Sequence, residues 1–383
     1  MGKVFRVKLL PALHGDCIWI EYGEEGLLSR VLIDGGPVGA FSAVRAEIER
    51  LPPEQRTFEL LVVTHIDADH IDGIVKLMRH PELGAKFQEV WFNGWPQLKA
   101  LQTLAPVADE TAAEGRGPVS GAYLDHLLIR GGEACNARFR ERAVCVADDG
   151  ALTRVRLSGG LELTLLSPTV EKLRNLRTTW YEAFRKLGSE PGDEAFVQSK
   201  LDKDKRFRGD EDAAPAVPAG LDEAAALAQD LDNAVANGSS IAFVAEYAGE
   251  RCALLGDAHA PLVEKSLRRM AAARNEPKLR LAAVKLSHHG SKGNTTPGLL
   301  KAVDCRNYLV STDGSIFHHP DDAAIQCVVT NAKPARLFFN YQSDRTIGWG
   351  KSGQGSELGY TAQYPARNGE TLEIDLLAAT GSP

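Results

Sequence analysis

No run of about 18 apolar residues occurs in the chain, so the sequence offers no helix able to span a membrane. Positive charge is not in excess. The 383 residues carry 44 Lys and Arg against 51 Asp and Glu, a formal net charge of −7. That excludes a protein coated in basic charge for packaging DNA, but leaves room for a local basic groove. Cysteine is sparse: Cys17, Cys135, Cys145, Cys252, Cys305 and Cys327 are scattered with no CxxC, so buried free thiols are expected rather than disulfides. The first apolar stretch is too short and interrupted for a signal peptide, and a cytoplasmic protein is the expectation. There is no GxGxxG after a strand, no GxxxxGK[ST] and no GxSxG elbow, and no internal repeat at a fixed period.

What is present is the composition of a globular protein, 44% hydrophobic and 25% charged. Strand-like runs recur at Val4 to Leu10, Cys17 to Tyr22, Arg30 to Asp34, Leu60 to Thr64 and Val90 to Asn93. Ala40 to Leu51 has helical spacing and stops before Pro52-Pro53. Ile71, Ile74, Val75 and Met78 fall on one face of a helix starting near Asp69. A helix is expected around Tyr123 to Ile129 and a strand over Leu161 to Leu166. A second run follows: strands at Ser240 to Tyr247, Cys252 to Gly256, Leu281 to Ser287, Tyr308 to Ser311, Arg336 to Asn340 and Leu372 to Leu377, with a helix over Ala260 to Ala273. Residues 348–359 read as a glycine-rich loop. Two runs of strands with helices between them imply a layered α/β architecture in one interlocked domain spanning 1–383. Residues 169–237 read as a helical insertion with a mobile middle near 200–220, and 321–383 as a C-terminal extension closing the layers.

The densest chemistry is Thr64-His65-Ile66-Asp67-Ala68-Asp69-His70, four potential ligands in six residues between an apolar strand and a helix. In an extended loop His65, Asp67 and Asp69 point the same way. Asp69 and His70 then sit at the helix start, where a carboxylate is also a good N-cap. Imidazoles and carboxylates together suit a divalent cation such as Zn²⁺ or Mn²⁺.

This segment resembles the HxHxDH motif of the metallo-β-lactamase superfamily, with Asp67 in place of the second histidine. Leu32-Ile33-Asp34-Gly35-Gly36, Leu255-Gly256-Asp257, Leu286-Ser287-His288-His289-Gly290-Ser291 and His14-Gly15-Asp16-Cys17 match further motifs. HxDxDH, GD and HHGS together look like the branch that contains the hydrolase domain of ComEC-type DNA-uptake proteins. The resemblance covers roughly residues 4–320. It implies an αββα sandwich of two mixed sheets flanked by helices, one or two divalent metal ions, and a metal-activated water. It assigns His65 and Asp67 to one metal, Asp69 and His70 to the other, and Asp257 to both. His288 completes the second metal, with His289 as the alternative. Asp69 and Asp257 are catalytic as well as ligands, with His289 or His319 as proton donor, while Asp16 and Asp34 orient ligand histidines. The superfamily usually adds a histidine between the second motif and the bridging Asp; here only His80 and His126 lie in that interval. His259 is expected to be an orienting or exposed residue, and Asp72 to lie on the helix surface or touch a loop.

The resemblance implies hydrolysis of a phosphodiester, in nucleic acid or in another substrate, with no membrane partner. Ten Lys or Arg between residues 172 and 208 favour nucleic acid over a small molecule; Lys203, Lys205, Arg206 and Arg208 are candidate phosphate contacts, and Trp180, Tyr181, Phe184, Phe196 and Phe207 candidate base-stacking or packing rings. The alternatives are hydrolysis of a small ester, lactone, thioester or choline-phosphate ester, and a degenerate metal-binding scaffold in a multi-protein system such as phage defence.

Overall fold

The computed structural model describes residues 2–101, 117–147, 149–209, 231–351 and 354–378. Two large sheets carry the chain. The first has six strands in the order Leu372–Asp375, Lys3–Leu9, Ile18–Glu24, Leu27–Ile33, Leu60–Val62 and Val90–Trp91. The second has eight, in the order Tyr360–Gln363, Ala335–Phe339, Asn307–Val310, Ala283–Lys285, Glu250–Leu254, Ala242–Tyr247, Glu162–Ser167 and Arg154–Arg156. Both are mixed. Leu27–Ile33, Leu60–Val62 and Val90–Trp91 run parallel in the first sheet, and Glu250–Leu254, Ala283–Lys285, Asn307–Val310 and Ala335–Phe339 in the second.

The layers follow from strand alternation. Ile18, Ile20, Val31, Ile33, Leu60 and Val62 point into a core shared with Leu163, Leu165, Phe243, Cys252, Leu254 and Leu309 of the other sheet. The intervening Trp19, Leu32 and Leu61 face the other way, onto Ile71, Ile74, Val75, Leu124, Leu173 and Trp180 of the helical layer. On the far side Val244, Ala253, Val284 and Tyr308 meet Val263, Leu267, Ile325 and Val328 from the helices Ala260–Ala273 and Asp322–Asn331. The result is the four-layer αββα sandwich that the resemblance implies. Among the described residues no helix is long and apolar enough to cross a membrane.

The helix Ala68–Met78 is seated on the turn after Leu27–Ile33. Its buried Ile71, Ile74 and Val75 each contribute about 1.5–3 kcal/mol of burial. A Cβ on Gly73 would lie 2.0 Å from the Gly35 carbonyl oxygen, so only glycine allows this approach. The helix begins at Ala68, one residue earlier than expected, and its N-cap is Asp67 rather than Asp69. Asp67 makes no side-chain cap bond, which leaves its carboxylate for other work.

One expectation is corrected. Residues 348–359 are not simply a loop: Ile347–Gly350 is a 3-10 turn and Gln354–Leu358 a helix, with 352 and 353 outside the described residues. Trp349 and Tyr360 there are buried in the outer core in edge contact at 5.8 Å. The part of the expected mobile middle that is described, residues 200–209, is defined by the helix Glu194–Lys203 and a turn at Lys205–Phe207; residues 210–230 lie outside the described residues. All six cysteines are free thiols; Cys17, Cys252 and Cys305 are buried.

Candidate metal centre

Parallel pairing places the carboxyl ends of several strands side by side, where ligands gather in α/β sheets. Asp34 follows Leu27–Ile33 and pairs through its backbone N–H with the Val62 carbonyl at 2.9 Å, so it lies beside Thr64 and His65. In the second sheet Leu254 registers with Lys285, and Lys285 with Leu309. That sets Asp257, His288 and His289, and Ser311 next to one another. The two sheets are joined at this edge: Ile241 N–H donates to the Thr64 carbonyl at 2.9 Å, and Ser311 Oγ to the Gly15 carbonyl at 2.9 Å.

The Asp257 carboxylate is the centre. His70 Nε2 lies 3.3 Å from its Oδ1; His65, His288 and His289 Nε2 lie 3.9, 3.8 and 3.8 Å from its Oδ2. Each imidazole is tied back through Nδ1. His289 Nδ1 is 2.9 Å from the Ser311 carbonyl, which only accepts, so this nitrogen carries the proton. Thr64 Oγ1 donates to Asp34 Oδ2 at 2.7 Å and therefore accepts from His65 Nδ1 at 3.0 Å. His70 Nδ1 donates to the same Asp34 Oδ2 at 2.8 Å. Asp34 thus fixes two tautomers, one directly and one through Thr64. It does so from a left-handed backbone, φ 55°, a conformation uncommon for a non-glycine residue. In their neutral form, the one that binds a cation, His65, His70 and His289 therefore carry the lone pair on Nε2, facing the centre.

Two further carboxylates join them. Asp69 Oδ2 is 3.2 Å from His289 Nε2 and 3.8 Å from His70 Nε2. Asp67 Oδ2 is 3.6 Å from His65 Nε2. Asp69 is held because its carbonyl sits over Gly15, where a Cβ would be 1.8 Å away. Burial alone would raise the Asp69 and Asp257 carboxyls; the facing imidazoles outweigh it and hold both well below the ordinary range. Burial likewise works against protonated imidazoles, yet Asp257 and its neighbours push His289 up to about 8 and His288 to about 10.

The donor set fits a divalent cation. His65 Nε2 and Asp257 Oδ1 are fully buried without a hydrogen-bond partner, an arrangement that costs free energy unless a further positive group pairs them. His65, His70 and Asp257 form one compact group able to hold an ion, and Asp16, His70 and His289 another. Imidazole nitrogens with carboxylate oxygens are the donors of zinc and manganese sites.

The other expected residues fall into place unevenly. Asp16 is buried against Lys285 Nζ at 2.5 Å and stands 3.3 Å from His289 Nδ1. His319 packs its ring 5.1 Å from that of His288, at the rim, with Asp321 3.5 Å from its Nδ1. It is His289, fully buried, rather than His288 that stands among Asp69 and His70; His288 keeps a quarter of its side chain exposed. His80 stacks on Phe41 and meets Glu82 at 2.7 Å, and His126 bonds Gln198 at 2.7 Å, so neither reaches the centre. His259 is buried, not exposed, with Nε2 on the Ala234 carbonyl at 3.0 Å. Asp72 is buried as well, accepting from Ser120 Oγ at 2.6 Å and Arg206 Nη1 at 2.7 Å.

That last contact corrects the basic patch. Arg206 is spent on Asp72 and Asp204, and Arg208 reaches the Asp202 carbonyl. Lys203 and Lys205 are exposed. Trp180, Phe184 and Phe207 are core residues, and of the five rings only Tyr181 is largely exposed. Sequence reasoning missed Thr64, Lys285 and Ser311, and also Asp232 with Asn237 and Asn294. A lysine inside an apolar strand was a signal for Lys285; nothing marked Asp232.

No family model matches the sequence, and no curated protein matches it. Among solved structures the chain is similar to the metallo-β-lactamase fold protein YhfI from Bacillus subtilis, at 9% identity over 97% of this chain and 100% of that one, with a TM-score of 0.40. It is also similar to a mutant of the CmlA β-hydroxylase, at 10% identity over 98% of this chain and 54% of that one, with a TM-score of 0.37. At such likeness the functional reading rests on the side chains at the centre.

Proposed function

We propose that this chain is a metal-dependent hydrolase of the metallo-β-lactamase superfamily, with a phosphodiester as its substrate. One observation carries the reading: four imidazoles, from two sheets, direct Nε2 at the single carboxylate of Asp257. A divalent cation in such a site supplies a lowered pKa for water and polarisation of the scissile group. His65, Asp67, Asp69, His70, Asp257 and His289 would hold it. Asp34, Thr64, Asp16 and Ser311 keep the imidazoles in the binding tautomer. His319 is the imidazole left at the rim to meet a substrate, since His289 is enclosed by Asp69 and His70. A doubled donor set with three carboxylates favours a phosphodiester, because paired cations suit in-line displacement at phosphorus.

Hydrolysis of a small ester, lactone or thioester is the second reading. It is favoured by the loss of Arg206, Trp180, Phe184 and Phe207 from the expected polyanion surface. The test is turnover by Zn²⁺- or Mn²⁺-loaded protein of a chromogenic phosphodiester, single-stranded DNA and RNA, a lactone and a thioester, with Asp257→Ala as control. Metal-dependent diester cleavage absent from the control supports the first reading. Lactone or thioester turnover alone moves the assignment to the second, and no turnover with no bound metal overturns both.

A further inference from the structure

Two adjacent histidines both turn into the centre, which an extended chain does not allow, because successive side chains there diverge. Here His288 and His289 both adopt left-handed backbone, φ 48° and 52°. Such conformations cost of order 1–3 kcal/mol each and persist where the surroundings enforce them. His289 is accounted for by Asp69, His70 and Asp257. His288 has its own support. Its Nδ1 lies 3.3 Å from Asp232 Oδ2, 3.2 Å from Asn294 Oδ1 and 3.3 Å from Asn237 Nδ2, an amide whose shorter contact is to Asp232. Asp232 Oδ2 in turn accepts from Asn237 Nδ2 at 2.8 Å and Asn294 Nδ2 at 2.9 Å. A largely buried carboxylate held by two amides keeps a proton on His288 Nδ1, so the neutral imidazole carries its lone pair on Nε2, directed at Asp257 as in the other three.

The donor count gives this a use. His65 shares its compact group with His70 and Asp257, but His70 also faces Asp69 and His289, and the interval between His70 and Asp257 supplies no further nitrogen to the side of His65 and Asp67, since His80 and His126 are engaged elsewhere. We infer that the adjacent histidines serve two different cations: His289 the one beside Asp69 and His70, and His288, aimed by the positioning residue Asp232, the one beside His65 and Asp67. This rests on the metal reading of the centre.

Cobalt(II) titration followed by elemental analysis of the desalted full chain tests it, with circular dichroism to confirm folding. The wild type should bind two equivalents, and His288→Ala and His289→Ala one each. Asp69→Ala combined with His289→Ala should still bind one, because both residues serve the same cation; Asp69→Ala combined with His288→Ala should bind none. Should His288→Ala fail to fold, Asp232→Asn is read instead: one equivalent bound as in the wild type and the second about 10–100-fold weaker. A wild type that binds no metal overturns the metal reading itself. A wild type that binds one equivalent, or two that persist with unchanged affinity in His288→Ala or Asp232→Asn, overturns this inference alone.

Discussion

Asp34→Asn isolates the orienting role of a carboxylate that touches no cation. Asp34 Oδ1 accepts from Thr64 N–H at 2.7 Å, and Oδ2 accepts from Thr64 Oγ1 and His70 Nδ1. Asparagine keeps the shape and replaces one acceptor by an NH₂ group. If its oxygen faces Thr64 Oγ1 and His70, the NH₂ opposes the Thr64 N–H. If it is turned round, the NH₂ opposes His70 Nδ1 and drives the proton to Nε2, where it blocks binding. The first orientation leaves the buried Thr64 N–H without an acceptor, which costs about 1–3 kcal/mol of stability; the second keeps the hydrogen bonds but holds His70 in the wrong tautomer. Loss of such an outer hydrogen bond should weaken metal binding about 10–100-fold, or about 1.4–2.7 kcal/mol. Chelator competition measures the affinity, and urea unfolding of the metal-free protein measures the stability. Stability loss alone is what any buried carboxylate would give; the affinity decides. Hydrolysis by the variant should return at raised metal concentration. Metal affinity within twofold of wild type, together with full activity at limiting metal, would refute the orienting role.

Thr64→Val should weaken the site that holds His65 and Thr64→Ser should spare it, as read by metal titration, because serine keeps the hydroxyl between His65 and Asp34. Lys285→Met strips the buried Asp16 of its partner and should lower stability by about 3–5 kcal/mol in urea unfolding; a loss below about 1 kcal/mol would contradict it. Asp125 is buried and accepts from the Trp95 N–H at 2.7 Å, and burial pushes its carboxyl up to about 7. The fold therefore favours its neutral form, a stabilisation present below about pH 4 and lost as pH rises through 7. Asp125→Asn should then gain on the wild type from pH 4.5 to 7.5, by up to about 4 kcal/mol; a difference independent of pH would contradict it. His80→Ala and His126→Ala should leave metal content unchanged.

The layered fold was legible because its strands alternate apolar residues toward two different cores, as at Ile18, Trp19 and Ile20. The centre was legible in part because His65 to His70 packs its donors into one turn. Which late histidine does what was not legible: both sit in left-handed backbone, and spacing arguments assume extended or helical chain. Asp232 was hidden for another reason. It reaches His288 across 56 residues of sequence, at the edge of an Ala-, Asp- and Glu-rich segment with no periodic pattern. The basic run misled because sequence counts charges without showing that Asp72, expected on a helix surface, turns inward to take Arg206.

The most direct measurement is the position of bound metal by anomalous scattering from crystals of the Zn²⁺- or Mn²⁺-loaded protein. The account expects a peak bonded to the Asp257 carboxylate and to Nε2 of His70 and His289, at about 2.0–2.2 Å. A loaded crystal with no peak at Asp257, or with metal only at surface residues, would contradict it.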